Sequence, residues 1–228
     1  LTVRAEAIEV VLQERSLGAY LAYTRRKCKS RIEHTWKETK AMLLRIEATK
    51  LPLEVRAILA GIFVQPKAMY ACAVNPPSKT SLKKLRGAIA RAIWGQSNRW
   101  RANELLYTLL SKGHVVDPLQ SFAYNTILTA RRVLMHNPEL MVCFQRVMSY
   151  RQENPSNMGG PVAAVLRAAD IANLTFEGHN SLWHLKEDDP TETSQIAWLD
   201  CDGRNFAHIL RRSLRLEQWS DLEYRRDG

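Results

Sequence analysis

The sequence predicts a mainly α protein: a helical bundle preceded by a short β-hairpin, with a second, smaller helical region after it. Three observations lead there. Apolar residues recur at helical spacing through most of the chain. Pro, Gly and capping residues punctuate those runs. Hydrophobic residues make up 46% of the 228, enough for one large core or two small ones.

The hairpin comes first. Ile8, Val10 and Leu12 alternate with Glu9, Val11 and Gln13, and SLGAYLAY follows Glu14-Arg15. That pattern predicts two short strands and a tight turn within residues 8–23. From about Lys29 to Thr49 the spacing of Ile32, Trp36, Met42 or Leu43, and Ile46 predicts a helix. Leu51-Pro52-Leu53 interrupts it, because Pro removes a donor and biases its predecessor away from helix. A more apolar helix follows in LEVRAILAGIFVQPKAMYACAV, where Pro66 should introduce a kink.

The next helix lies in PPSKTSLKKLRGAIARAIWG. Ser78 fits an N-cap and Gly95 a C-terminal stop. Leu82, Leu85, Ile89, Ala92 and Ile93 form its apolar stripe, beside Lys79, Lys83, Lys84, Arg86 and Arg91. RANELLYTLLSKG predicts a short helix ending at Gly113. Asp117-Pro118 opens a helix to about Met135, and Asn137-Pro138 another to about Tyr150. RQENPSNMGG, residues 151–160, reads as a linker. Helices near 161–173 and 204–223 flank the acidic KEDDPTETS, with Asp202 as the cap of the last one.

Charge is unevenly placed. Residues 1–113 carry 21 Lys/Arg against 8 Asp/Glu, whereas residues 114–228 carry 12 against 15. A first half this basic predicts a polyanionic partner, with nucleic acid favoured because each neutralised phosphate releases counterions. An anionic membrane surface fits less well, since the basic helices lack a Trp/Phe-rich opposite face. No apolar run is long enough to span a bilayer. Cys28, Cys72, Cys143 and Cys201 are spread without a CxxC pair, which predicts reduced thiols in the nucleus or cytoplasm. The chain begins without Met and lacks a secretory leader pattern; it reads as a piece of something longer.

Two segments carry a resemblance. SLGAYLAYTRRKCKSRIEHTWKETKAMLLRI is similar to the "YLG-x-x-L" strand and long basic helix that follow the palm in reverse transcriptases of non-LTR (LINE-type) retrotransposons. LPLEVRAILAGIFVQPKAMYACAV is similar to the helix ending in "P-x-x-x-Y-G" that comes next, with Ala71 where the family often has Gly. The basic helix and WRANELLYTLLSKGHVVDP resemble the thumb of divergent protist copies. The likeness covers residues 8–150.

The resemblance implies an end-of-palm hairpin over 1–24 and a helical thumb-like domain over 25–150; beyond it lie the linker 151–160 and a C-terminal helical region of unknown role over 161–228. Leu17, Gly18 and Ala19 match the primer-grip turn, although Ser16 replaces the family's usual aromatic residue. Arg25, Arg26, Lys27, Lys29 and Arg31 would then track template or primer phosphates, as would Lys79, Lys83, Lys84, Arg86 and Arg91. The implied partners are an RNA template with a DNA primer, and the upstream palm and fingers of the same polypeptide. Polymerisation would need two Mg²⁺ ions held by an aromatic-x-Asp-Asp hairpin in that upstream part. Asp188-Asp189 is the only Asp-Asp pair here, with Lys186 in the aromatic position and Pro190 after it. It reads as an acidic loop. This chain by itself is not expected to polymerise and carries no cofactor of its own.

Other constellations are weaker. Asp200-Cys201-Asp202-Gly203 begins like a calcium loop but lacks the later ligands. His179, His184, Cys201 and His208 match no tight zinc spacing. No GxSxG elbow and no GK[ST] after Gly159-Gly160 suggest nucleophilic or P-loop chemistry. Among the aromatics, Trp94 reads as core, whereas Trp100, between Arg99 and Arg101, could stack on a base or sugar. Two other classes stay open: a helix-turn-helix DNA binder through ARAIWGQSNRWRANELL, and a non-catalytic helical interaction module or degenerate retroelement copy.

Overall fold

Three acidic or hydroxyl side chains start three of the helices, as local capping chemistry requires. Ser78 Oγ accepts from the Ser81 N–H at 3.1 Å, Asp117 Oδ1 from Leu119 at 3.0 Å, and Asp202 Oδ2 from Arg204 and Asn205 at 2.9 and 3.0 Å. Each bond satisfies an amide that the helix itself cannot. The computed structural model describes residues 13–16, 19–22, 31–95, 105–110, 113–153, 160–177, 180–185 and 193–226.

Strands β1 (Gln13–Ser16) and β2 (Ala19–Ala22) pair antiparallel, Ser16 opposite Ala19 and Arg15 opposite Tyr20, so paired strands lie within the expected span, with Glu14-Arg15 inside β1; Ile8, Val10 and Leu12 lie outside the described residues. Helix α1 (Arg31–Ala48) follows. Pro52 then precedes α2 (Leu53–Leu59), which runs through a π turn (Ala60–Val64) into α3 (Gln65–Met69). The π turn is the form taken by the expected disturbance at Pro66. A proline ring crowds the carbonyl four residues back and cannot donate to it, and the π turn stands directly before that ring. The Gln65 N–H accordingly donates five residues back, to Ala60.

Helix α4 (Lys79–Trp94) ends at Gly95, whose φ of 87° lies in the region that favours glycine. Leu82, Leu85, Ile89, Ala92 and Ile93 are all buried, and Trp94 packs against the same core. A second π turn (Leu106–Leu110) leads to the short α5 (Gly113–Val116). Gly113 therefore opens a helix where the sequence predicted it to end one. A Cβ there would fall 2.3 Å from Gln120 Oε1, so a larger residue would have to push that side chain aside.

Helices α6 (Pro118–His136), α7 (Leu140–Glu153) and α8 (Gly160–Ile171) complete the bundle. The expected linker begins later than predicted, because α7 continues to Glu153. The C-terminal region is also not purely helical. Strands β3 (Thr175–Glu177), β4 (Ser181–Leu185) and β5 (Thr193–Ala197) form an antiparallel sheet in that order, before α9 (Gly203–Arg226). Phe176, Leu182 and Ile196 stand opposite one another across it, a row of apolar side chains toward the core.

This region shares buried core residues with the preceding bundle. One hydrophobic cluster runs from Leu43 of α1 to Leu214 of α9. Phe144, Phe176, Trp198 and Phe206 meet within it, Phe176 and Trp198 edge to face at 5.3 Å between centroids. Polar bonds cross as well. Arg131 of α6 donates from Nε to the Trp198 carbonyl at 2.6 Å and from Nη2 to the Cys201 carbonyl. Gln120 Nε2 donates to the Leu214 carbonyl at 2.8 Å.

Candidate nucleic-acid interface

The outer surface of α4 is decided by its buried stripe. With Leu82, Leu85, Ile89 and Ile93 facing inward, helical geometry turns Thr80, Lys83, Lys84, Gly87 and Arg91 outward. Lys79, Lys83, Lys84 and Arg91 are exposed, four of the five cations predicted on this helix. Gly87 stands among them, and a Cβ built on it would meet nothing within 4 Å.

Arg86 is the exception. Its guanidinium reaches 3.0 Å from Asp117 Oδ2, where the Arg86 side chain is 16% exposed and that of Asp117 1%. It lies 5.0 Å from the Tyr107 ring, and the Tyr107 hydroxyl donates to the Arg86 carbonyl at 2.7 Å. An arginine so enclosed is committed to the protein's own carboxylate, so the expected role as a phosphate contact does not fit this placement. Burial pushes the Asp117 carboxyl above the ordinary carboxylate range; Arg86, the Leu119 N–H and Gln218 pull it back without cancelling that rise. Tyr107 is buried, hence a core residue.

Helix α1 extends the exposed basic surface. Glu33 Oε1 accepts from the Ser81 hydroxyl at 3.1 Å, and the Lys84 ammonium sits 4.6 Å above the Trp36 ring. These contacts identify the side of α1 that borders α4. Lys37 and Lys40 continue it at the spacing 33, 36, 37, 40, and both are exposed. Lys37 and Lys40 were not predicted as site residues; their helical phase with Trp36 is the signal that finds them. On the other side of α1, Glu38 pairs with Lys67.

The remaining predicted positions divide simply. Ala19 opens β2 and Arg31 opens α1. Leu17, Gly18, Arg25, Arg26, Lys27, Lys29, Arg99, Trp100 and Arg101 lie outside the described residues, as do Asp188-Asp189 and His179. Among the described residues no three His, Cys, Asp or Glu side chains are grouped to hold a metal ion. Asp202 is engaged as a helix cap, and Asp200 accepts from Asn180 at 2.5 Å. No helix among the described residues is long and apolar enough to cross a membrane.

What the exposed face can do chemically is present several exposed cations along two adjacent helices, with a side-chain-free position between Lys83 and Arg91. Phosphates are met by such point charges without geometric selectivity. Comparison of the chain with protein-family models, with curated proteins and with solved structures finds no match.

Proposed function

We propose that this chain is a nucleic-acid-binding helical module, the thumb-like part of an RNA-directed DNA polymerase of the non-LTR retrotransposon type. In this reading α4 and the adjoining side of α1 lie along the backbone of an RNA template paired with a DNA primer. The observation that carries it is the outward row of Lys79, Lys83, Lys84 and Arg91 over a fully buried apolar stripe. Gly87 adds a place where a sugar–phosphate backbone can approach the helix closely. Catalytic metal chemistry belongs, on the resemblance, to an upstream palm; no step of it is assigned to residues of this chain.

The test is fluorescence anisotropy of a labelled RNA–DNA hybrid titrated with the protein at several salt concentrations. Binding that weakens steeply with salt and ignores sequence supports the proposal. Sequence-selective binding would favour a helix-turn-helix reader instead. Absence of binding would favour an interaction module, a reading supported by one observation: Val55, Ile58, Ile62 and Phe63 expose 36%, 56%, 58% and 56% of their surface along α2 and its π turn.

A further inference from the structure

The second half of the chain is acidic in balance, with 12 Lys/Arg against 15 Asp/Glu over residues 114–228. Helix α9 departs from that balance. Between Gly203 and Trp219 it carries Arg204, Arg211, Arg212 and Arg215 against Glu217 alone. Packing decides where those charges stand. Phe206, Leu210 and Leu214 are buried, which turns the opposite side of the helix outward.

Arg204, His208, Arg211, Arg215 and Trp219 follow one another three or four positions apart, and all five are exposed. That spacing places them on a single ridge of the helix. Glu217 is half-buried and falls off the ridge. Arg211 Nε donates to the Ala207 carbonyl at 3.0 Å, one turn back on the same helix. Among the described residues no carboxylate pairs with Arg204, Arg211 or Arg215. Trp219, 42% exposed, stands at the C-terminal end of the row.

We propose that this ridge is a second nucleic-acid contact, one that takes a single strand. Guanidinium forks meet phosphate oxygens in pairs, unlike the ammonium groups that dominate α4. From Arg204 to Arg215 the helix rises about 16 Å. At roughly 3.4 Å per phosphate along one stacked strand, that length matches about five phosphates. Trp219 favours a single strand over a duplex, since its ring stacks on a base freed from its partner. A membrane surface fits less well: an interfacial helix sinks its apolar face into lipid, whereas α9 packs that face into the protein core. The inference does not rest on the α4 interface.

The test is fluorescence anisotropy of labelled oligo-U and oligo-dT, titrated with Lys83→Ala/Lys84→Ala/Arg91→Ala protein so that the α4 face is removed from the measurement. That protein should still bind. Adding Arg204→Gln/Arg211→Gln/Arg215→Gln should keep the melting temperature, weaken binding at least about tenfold and flatten the slope of log K against log salt by about two units. Adding Trp219→Ala instead should weaken binding at least about fivefold and leave the slope as it was. Tighter binding of oligo-U would assign the ridge to RNA, and tighter binding of oligo-dT to DNA; both support the proposal. No binding once the α4 cations are removed, or binding indifferent to the arginine substitutions, would overturn it. So would displacement of the strand by polyglutamate at equal charge, or binding to phosphatidylserine vesicles without binding to either oligonucleotide.

Discussion

Arg86 and Asp117 form an ion pair at 3.0 Å that takes one arginine out of the basic row of α4 and locks that helix to the start of α6. The carboxylate serves two purposes at once, capping α6 through Leu119 and holding Arg86, while Gln218 of α9 adds a bond at 3.2 Å. One buried group thereby ties three helices. Removing either partner strands the other, which typically costs about 3–5 kcal/mol. Arg86→Ala and Asp117→Ala should each lower unfolding stability by that amount, measured in urea. A loss below about 1 kcal/mol for both would show that the pair does not hold the helices together.

The same carboxyl gives a pH prediction. Burial raises its folded pKa above the unfolded value, so the folded state binds the proton more tightly. Its contribution to stability is present below the unfolded pKa and is lost as pH rises through the folded pKa. Wild type should therefore lose stability relative to Asp117→Asn as pH rises across that window, since Asn also caps helices but does not titrate there. Parallel pH profiles, or the opposite slope, would contradict the assignment.

Ala71 has φ of 58°, a left-handed conformation that costs a non-glycine residue about 1 kcal/mol or more. This is also the position where the resembled family often has Gly. Ala71→Gly should leave the fold intact and raise stability by up to about 1 kcal/mol, despite the entropy glycine adds to the unfolded chain. A destabilised Ala71→Gly variant would mean that the Ala71 methyl contributes packing that outweighs the strain.

Arg131 joins α6 to the turn after β5 through carbonyls of Trp198 and Cys201. Its guanidinium also lies 5.4 Å from the Phe206 ring. Arg131→Met should remove charge-assisted bonds worth roughly 1.5–3 kcal/mol each. Hydrogen exchange should quicken in β4, β5 and the start of α9, while α4 stays protected. Uniform acceleration throughout the chain would instead show that both parts open as a single unit.

Much of this was legible because helix ends are local. Ser78, Gly95, Asp117-Pro118 and Asp202 each announce a boundary within four residues, and the stripe of α4 is periodic enough to predict all its buried members except Ala90. The sheet was not. Its strands are three to five residues long and read TFE, SLWHL and TSQIA, too short and too polar to show alternation. Arg86 was misplaced for a related reason. Its spacing from Leu82 and Ile89 puts it at the edge of the buried stripe, but the partner that makes an inward arginine tolerable lies 31 positions away. No local pattern encodes that pairing. The extension of the basic face to Lys37 and Lys40 likewise needed the contact between Lys84 and Trp36.

The division of α4's cations into an outward set and one inward member is tested most directly by comparing two variants on one RNA–DNA hybrid. Lys83→Ala/Lys84→Ala/Arg91→Ala should keep the wild-type melting temperature and flatten the slope of log K against log salt by roughly two to three units. Arg86→Ala should lower stability while, under conditions where it remains folded, leaving that slope near wild type. A triple variant with wild-type affinity and slope would contradict the nucleic-acid interface on α4.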